Sequence, residues 1–210
     1  MVASAPPIRL LPLFLPPIAW WAAARGRHVQ LSVQDRYKPQ TELHRCWVKA
    51  AGGPLLLVVP IERISKYGPI EDARIDDHRD WSRPLRQSLR SAYGKSPYFP
   101  YYSELIDQVG AVDRLAVLNV CLIRWMYLAL DWPEAMLTTS EDESAIDCRF
   151  VGLRGQALPG FQALPYWQPF GPFAANLSIV DALFQLGPDL DAYLKQCQPG
   201  SATPRLVVSE

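Results

Sequence analysis

The sequence predicts an α/β (or α+β) fold: a small mixed sheet packed by about four to five helices, with a central, fully buried helix near residues 112–130. Three observations predict it. Short apolar runs bounded by proline or glycine fill residues 8–75, as strands do. From Trp81 onward the apolar residues recur every four positions, as on one face of a helix. Residues 112–130 are then apolar nearly all round, interrupted inside by Asn119 and Arg124. The chain of 210 residues is long enough for a sizeable core and shows no internal repeat or dividing linker, so one domain is expected over 1–198, followed by a loose tail over 199–210.

In chain order, residues 8–14 read as a short buried strand and 18–26 as a short helix ended by Gly26. Residues 28–33 alternate as a strand. The runs 43–50 and 55–59 flank Gly52-Gly53-Pro54, a hairpin signal, and 70–75 suggests a further strand. Trp81, Leu85, Leu89 and Tyr93 line one face of a helix from about Asp80 to Gly94, with Pro84 in the first turn, where proline is tolerated. Residues 100–109 read as a second helix and 112–130 as the central one. After Pro133 come a strand at 135–139, an acidic loop at 140–144, a strand at 146–151 and a Gly/Pro-rich stretch to Pro172. A helix over 178–186 stops at Gly187-Pro188, and 190–197 extends it.

Composition narrows the function classes. The chain is 49% hydrophobic and 20% charged with no net charge, and it holds no Lys/Arg-rich run, which argues against a nucleic-acid partner. Its 20 prolines sit between apolar stretches as rigid turns. The apolar N-terminal run 8–24 resembles a signal peptide but has no cation before Arg9, is interrupted by prolines and carries Trp20 and Trp21 beside the would-be cleavage site. The same prolines break it well short of a membrane span. Cys46, Cys121, Cys148 and Cys197 are widely spaced, without a CxxC. A reduced, cytoplasmic setting without structural zinc follows.

The common phosphate-loop, dinucleotide, zinc-protease and serine-hydrolase motifs are absent. Of the three histidines, His28 opens a strand, His44 lies in Leu43-His44-Arg45-Cys46, and His78 follows Asp76 and Asp77. Asp76, Asp77, His78 and Asp80 suit a helix N-terminus better than a metal site. Cys46 reads as a small core residue, since nothing supplies a group to orient a Cys46–His44 pair. Tyr93, Tyr98, Phe99, Tyr101 and Tyr102, with Trp81 nearby, form either an aromatic wall for a sugar or base, or core and rim between helices, with core preferred for Phe99.

Four ordered blocks carry a resemblance. They are Leu15-Pro16-Pro17-Ile18 with Trp20-Trp21; Tyr37 through Gln40-Thr41 to His44-Arg45-Cys46; Trp81 to Leu85 with Ser91 to Tyr102; and Tyr166-Trp167-Gln168-Pro169-Phe170 with Asn176 to Phe184 and Gly187-Pro188. In this order they resemble the WbqC-like family. The chain departs from that pattern at Pro39, His44, Leu85 and Trp167, where the family usually has lysine, asparagine, histidine and histidine. Arg45, Tyr93, Gln168, Asn176, Ser178 and Asp181 are retained. The resemblance implies acyl or aminoacyl transfer to amino sugars in surface-polysaccharide (O-antigen) biosynthesis, by a bacterial enzyme acting on a small-molecule or sugar-nucleotide substrate, and it names no cofactor. On that reading the candidate catalytic residues are the retained Arg45 and Gln168, with His44 acting as a base in place of the groups the chain lacks. Tyr37, Gln40, Trp81, Tyr93, Tyr98, Tyr101 and Asn176 are implied as substrate-binding. The altered positions leave an alternative open, a binding protein that keeps the fold without the reaction.

Overall fold

The computed structural model describes residues 6–63, 67–77, 80–110, 112–140 and 144–198. His78, the acidic residues 141–143 and the tail from Pro199 lie outside them. The fold is mixed α/β, but the two kinds of strand pairing are kept apart. Four parallel strands, β1 (Ile8–Leu10), β2 (Val29–Leu31), β5 (Leu137–Thr138) and β6 (Ile146–Asp147), form one sheet in the order β5-β2-β1-β6. The antiparallel hairpin of β3 (Arg45–Ala50) and β4 (Gly53–Val58) stands as a second sheet, turning at Ala51-Gly52.

The parallel strands are shorter than the apolar runs that announce them. Pro12 has no N–H to give to a ladder, so β1 ends at Leu10 and its carbonyl accepts the last bond from Ser32. A parallel sheet is covered on both faces, and Ile8, Leu10, Val29 and Leu31 are accordingly buried. Helix α1 (Ile18–Ala24) makes the crossover from β1 to β2 with every residue buried, which is why Trp20, Trp21 and the alanines after them resemble a leader sequence. The strand expected at 70–75 is instead a single 3-10 turn, Ile70–Asp72, started by Pro69 and followed by isolated bridges at Arg74 and Ile75.

Helix α2 (Ser82–Tyr93) buries Leu85, Leu89, Ala92 and Tyr93, and the Asp80 carboxylate accepts the Arg83 N–H at 3.1 Å at its start. The helix expected over 100–109 divides into two single turns, α3 (Phe99–Tyr102) and α4 (Glu104–Asp107). There the ladder tightens to i+3 bonds, Ile106 to Ser103 and Val109 to Ile106. Helix α5 (Leu115–Ala129) is central but not buried on all sides, which corrects the sequence reading. Val117, Cys121, Arg124 and Leu128 form an exposed stripe. Its apolar outer face made it look fully buried, since periodicity cannot register an apolar residue that faces water. On the inner face Asn119 is fully buried and donates to the carbonyls of Pro12 and Leu43 at 2.7 and 2.8 Å, tying the exit of β1 to the entry of β3.

Helix α6 (Ile179–Leu186) and helix α7 (Leu190–Cys197) are joined by a 3-10 turn at Gly187–Asp189, and α7 packs against α1. Gly187 adopts φ +52° and ψ −122°, and a Cβ there would lie 2.4–2.6 Å from the Tyr98 ring. Gly187→Ala therefore meets both backbone strain and overlap, and should cost about 2–4 kcal/mol. Calorimetry should show a melting temperature roughly 5–15 °C lower. An unchanged value would mean that the turn relaxes freely.

Candidate functional site

Beyond the carboxyl ends of β1 and β6 lies a cavity of about 260 Å³. Parallel α/β sheets bind ligands at such ends, where neighbouring strands lead the chain apart. Here β2 lies on one side of β1 and β6 on the other. Four segments supply the walls: Leu15 and Pro17 after β1, Glu42 to Trp47 at the start of β3, Gly152 to Gly155 after β6, and Asn176 and Ser178 before α6.

The backbone around this cavity is held in unusual conformations. Leu15 (φ +42°), Arg154 (φ +50°) and Asn176 (φ +53°) are left-handed without being glycine, as are the adjacent Gly152 and Gly155. Such strain persists only where neighbours enforce it. Ser178 Oγ donates to the Leu15 carbonyl at 2.8 Å, the Arg154 N–H donates to a Glu42 carboxylate oxygen at 2.9 Å, and Asn176 Oδ1 accepts the Ala19 N–H at 2.8 Å. At Gly152 any Cβ would sit 2.6 Å from Leu13 Cδ1. A hydrogen bond from Ser178 N–H to the Trp47 carbonyl closes the ring of segments at 2.8 Å.

Arg45 lines this cavity together with two other charged residues, Glu42 and Arg154. It is half-buried, its Nε is buried without a hydrogen-bond partner, and it makes no ion pair among the described residues. Beside it the Cys46 thiol is neutral: burial pushes it far up, against a hydrogen bond with Ser178. A second cavity of about 650 Å³ adjoins the first, with Arg154 in the wall of both and Arg36, Tyr37, Lys38 and Thr41 lining its far side. Burial raises the Tyr37 hydroxyl to about 12, partly opposed by Arg45. Tyr37 Oη and His44 Nδ1 are 2.9 Å apart, and His44, only 7% exposed, lines neither cavity.

A separate polar cluster lies behind this wall. Asp181, one turn into α6 from Ser178, is fully buried. It accepts Tyr93 Oη at 2.7 Å, Gln168 Nε2 at 2.9 Å and, very closely, Tyr166 Oη. Tyr93 Oη in turn accepts the Lys49 N–H, and Lys49 Nζ, on a side chain only 3% exposed, donates to the Pro172 carbonyl. Gln168 also accepts the Ala174 N–H and donates to the Ala174 carbonyl, clasping the 168–174 loop. Burial holds the Asp181 carboxyl above the usual carboxylate range, against the three donors and Lys49. Burial and the Asp181 charge push both tyrosine hydroxyls far above theirs.

The structure thus brings Arg45 and Asn176 to one cavity and Tyr37 to its neighbour, while Tyr93 and Gln168 share the Asp181 cluster. Gln40 is exposed at φ +60°, Trp81 is half-buried just before α2, and Tyr98 contacts Tyr101, which is 77% exposed. None of these four lines either cavity. Sequence reasoning passed over Glu42, Arg154 and Lys49. Glu42 precedes the resembling triplet, and Arg154 sits in a loop without periodicity, so neither carries a signal of its own.

The sequence matches the model of the WbqC-like protein family over residues 12–149, well over half of the chain. It belongs to that family. No curated protein and no solved structure matches it. The stretch matched to the WbqC-like family holds the β1 and β3 walls of the cavity, including Arg45, and Tyr93 from the cluster. The walls at 152–155 and 176–178 lie beyond it. The departures from the WbqC-like pattern have different settings. Pro39 is exposed on the second cavity, His44 is enclosed with Tyr37, Leu85 packs in the core, and Trp167 is 66% exposed. Among the described residues, no group of three or more His, Cys, Asp or Glu side chains is placed to hold a metal ion, and no helix is long and apolar enough to cross a membrane.

Proposed function

We propose that this WbqC-like protein is a cytoplasmic bacterial enzyme that transfers an acyl or aminoacyl group to an amino sugar in surface-polysaccharide (O-antigen) biosynthesis. The observation that carries the reading is Arg45, a half-buried cation with an unpartnered Nε inside a strained cavity. A guanidinium so placed suits the carboxylate or phosphate of a small molecule or sugar nucleotide, which supplies the acceptors it lacks. The adjoining cavity supports transfer in particular, because donor and acceptor need neighbouring sites; Arg154 lies between them. In the step, the amine nitrogen of the sugar bonds to the acyl carbonyl carbon, the bond from that carbon to its leaving group breaks, and the amine proton passes to a base. The Glu42 carboxylate lies in the cavity for that role, and the His44–Tyr37 pair borders the second cavity through Tyr37. Asn176 would orient the bound group, and Gln168 and Tyr93 would hold the wall from behind.

One observation favours the other reading, a binding protein that has lost the reaction. The nucleophilic side chains in the first cavity are occupied, Cys46 by burial and Ser178 by the Leu15 carbonyl. A thermal-shift screen of nucleotide sugars with acyl and aminoacyl donors separates the two. Stabilisation followed by an acylated or aminoacylated sugar in mass spectrometry supports transfer. Stabilisation without product supports the binding protein, and no stabilisation by any of them counts against both.

A further inference from the structure

At the opposite end of the parallel sheet, before β2 and β5 begin, is a third cavity of about 360 Å³. It lies within the range of small-ligand sites, roughly 300–1,000 Å³, at the low end. The residues after α1, after α5 and on α7 enclose it. Its aromatic wall is rigid. The rings of Tyr127 and Trp132 meet edge to face at 5.2 Å, and Trp21 packs against both at 5.9 Å. One side is set by Asp191, which accepts the Trp132 indole N–H at 2.9 Å and pairs with Arg25 at 2.8 Å.

Two side chains that line this cavity each carry a buried polar atom without a partner. Tyr127 is 1% exposed, yet its hydroxyl has no hydrogen-bond partner, and a buried hydroxyl without one is costly. Arg27 has a buried Nη1 that is equally unpartnered. Asp131, exposed and held at φ +54°, borders the same cavity, and neither it nor Arg27 forms an ion pair among the described residues, even with each other. A cation and an anion that line one space without meeting suit a ligand that carries both opposite charges.

We propose that this cavity binds a small zwitterion with an apolar or aromatic body, a free α-amino acid. Its carboxylate pairs with Arg27 and accepts from the Tyr127 hydroxyl, its ammonium faces Asp131, and its side chain lies along Trp132 and Leu130. The site stands apart from Arg45 and does not depend on the function proposed above.

The test is isothermal titration of the full chain with four probes: L-phenylalanine, L-leucine, 2-phenylethylamine and 3-phenylpropanoate. At least one of the amino acids should bind saturably. The two phenyl compounds, each lacking one charge, should bind about tenfold or more weakly than L-phenylalanine, or not at all. Arg27→Ala and Asp131→Asn should each weaken amino-acid binding by a similar factor. Tyr127→Phe, which keeps the ring and the fold, should do the same through the hydroxyl alone. Arg45→Ala should leave this binding unchanged. The proposal is overturned if no amino acid binds, if either half-charged compound binds as well as L-phenylalanine, if Tyr127→Phe and Arg27→Ala have no effect, or if Arg45→Ala abolishes binding.

Discussion

Arg45→Ala is expected to lower the affinity for the anionic ligand roughly a hundredfold or more while leaving the melting temperature of the free protein nearly unchanged. The two halves of this expectation have one cause. Among the described residues Arg45 makes no ion pair and its buried Nε has no partner, so the free protein gains little from the side chain and bears its desolvation. A bound carboxylate or phosphate would supply the missing acceptors, and truncating one partner of such a pair costs about 2–5 kcal/mol. Arg45→Lys keeps the charge but loses the planar fork, so it should restore only part of the affinity. Thermal shift with the sugar nucleotides that stabilise the wild type reads both quantities. Unchanged ligand stabilisation in Arg45→Ala would remove Arg45 from the site, and retained turnover would sink the transfer reading. A large fall in the melting temperature of the unliganded variant would instead make Arg45 a structural residue.

Asp181→Ala should be the most destabilising single change in the cavity's support. It strands the hydroxyls of Tyr93 and Tyr166 and the Gln168 amide, and removes a counter-charge to the buried Lys49. Removing one member of a buried charged network costs about 3–5 kcal/mol, or roughly 6–20 °C in melting temperature for a chain of this length. Asp181→Asn keeps the shape and allows the pH dependence to be isolated. Burial raises the folded-state pKa of Asp181 above its ordinary value near 3.8. Between those two values the native protein holds a proton that the unfolded chain has released, so Asp181 contributes most stability in acid and loses it as pH rises. The stability of the wild type relative to Asp181→Asn should therefore shrink from about pH 4 upward. Asp147 and Asp191, whose carboxyls their arginine partners Arg149 and Arg25 hold below the usual range, are present in both proteins and cancel. Melting curves of the two proteins from pH 3 to 8 check this, and a constant difference would show that Asp181 does not titrate abnormally.

Much of the secondary structure could be read from pattern, because it depends on neighbours in the chain. The four-residue period of Leu85, Leu89 and Tyr93 gave α2, and Gly52-Gly53-Pro54 gave the hairpin within two residues. The strand lengths were not legible, since proline positions and partners across the sheet decide where pairing ends. The site was legible in pieces. Arg45, Asn176 and Tyr37 stood out by resemblance, but nothing local distinguishes Arg45, which lines a cavity, from Tyr93 and Gln168, which meet Asp181. Glu42 and Arg154 join the cavity through the Arg154 N–H to Glu42 bond, a contact across more than a hundred residues.

The sequence by itself determined the α/β class, the long helices and the hairpin, and the membership in the WbqC-like family, all properties of local pattern and of block order along the chain. Only the tertiary structure decided which retained polar residues share a space. Burial and pairing are set by what the fold brings from elsewhere. Among the described residues it brought partners to Asp181 and Tyr93, and brought none to the buried Arg45 Nε.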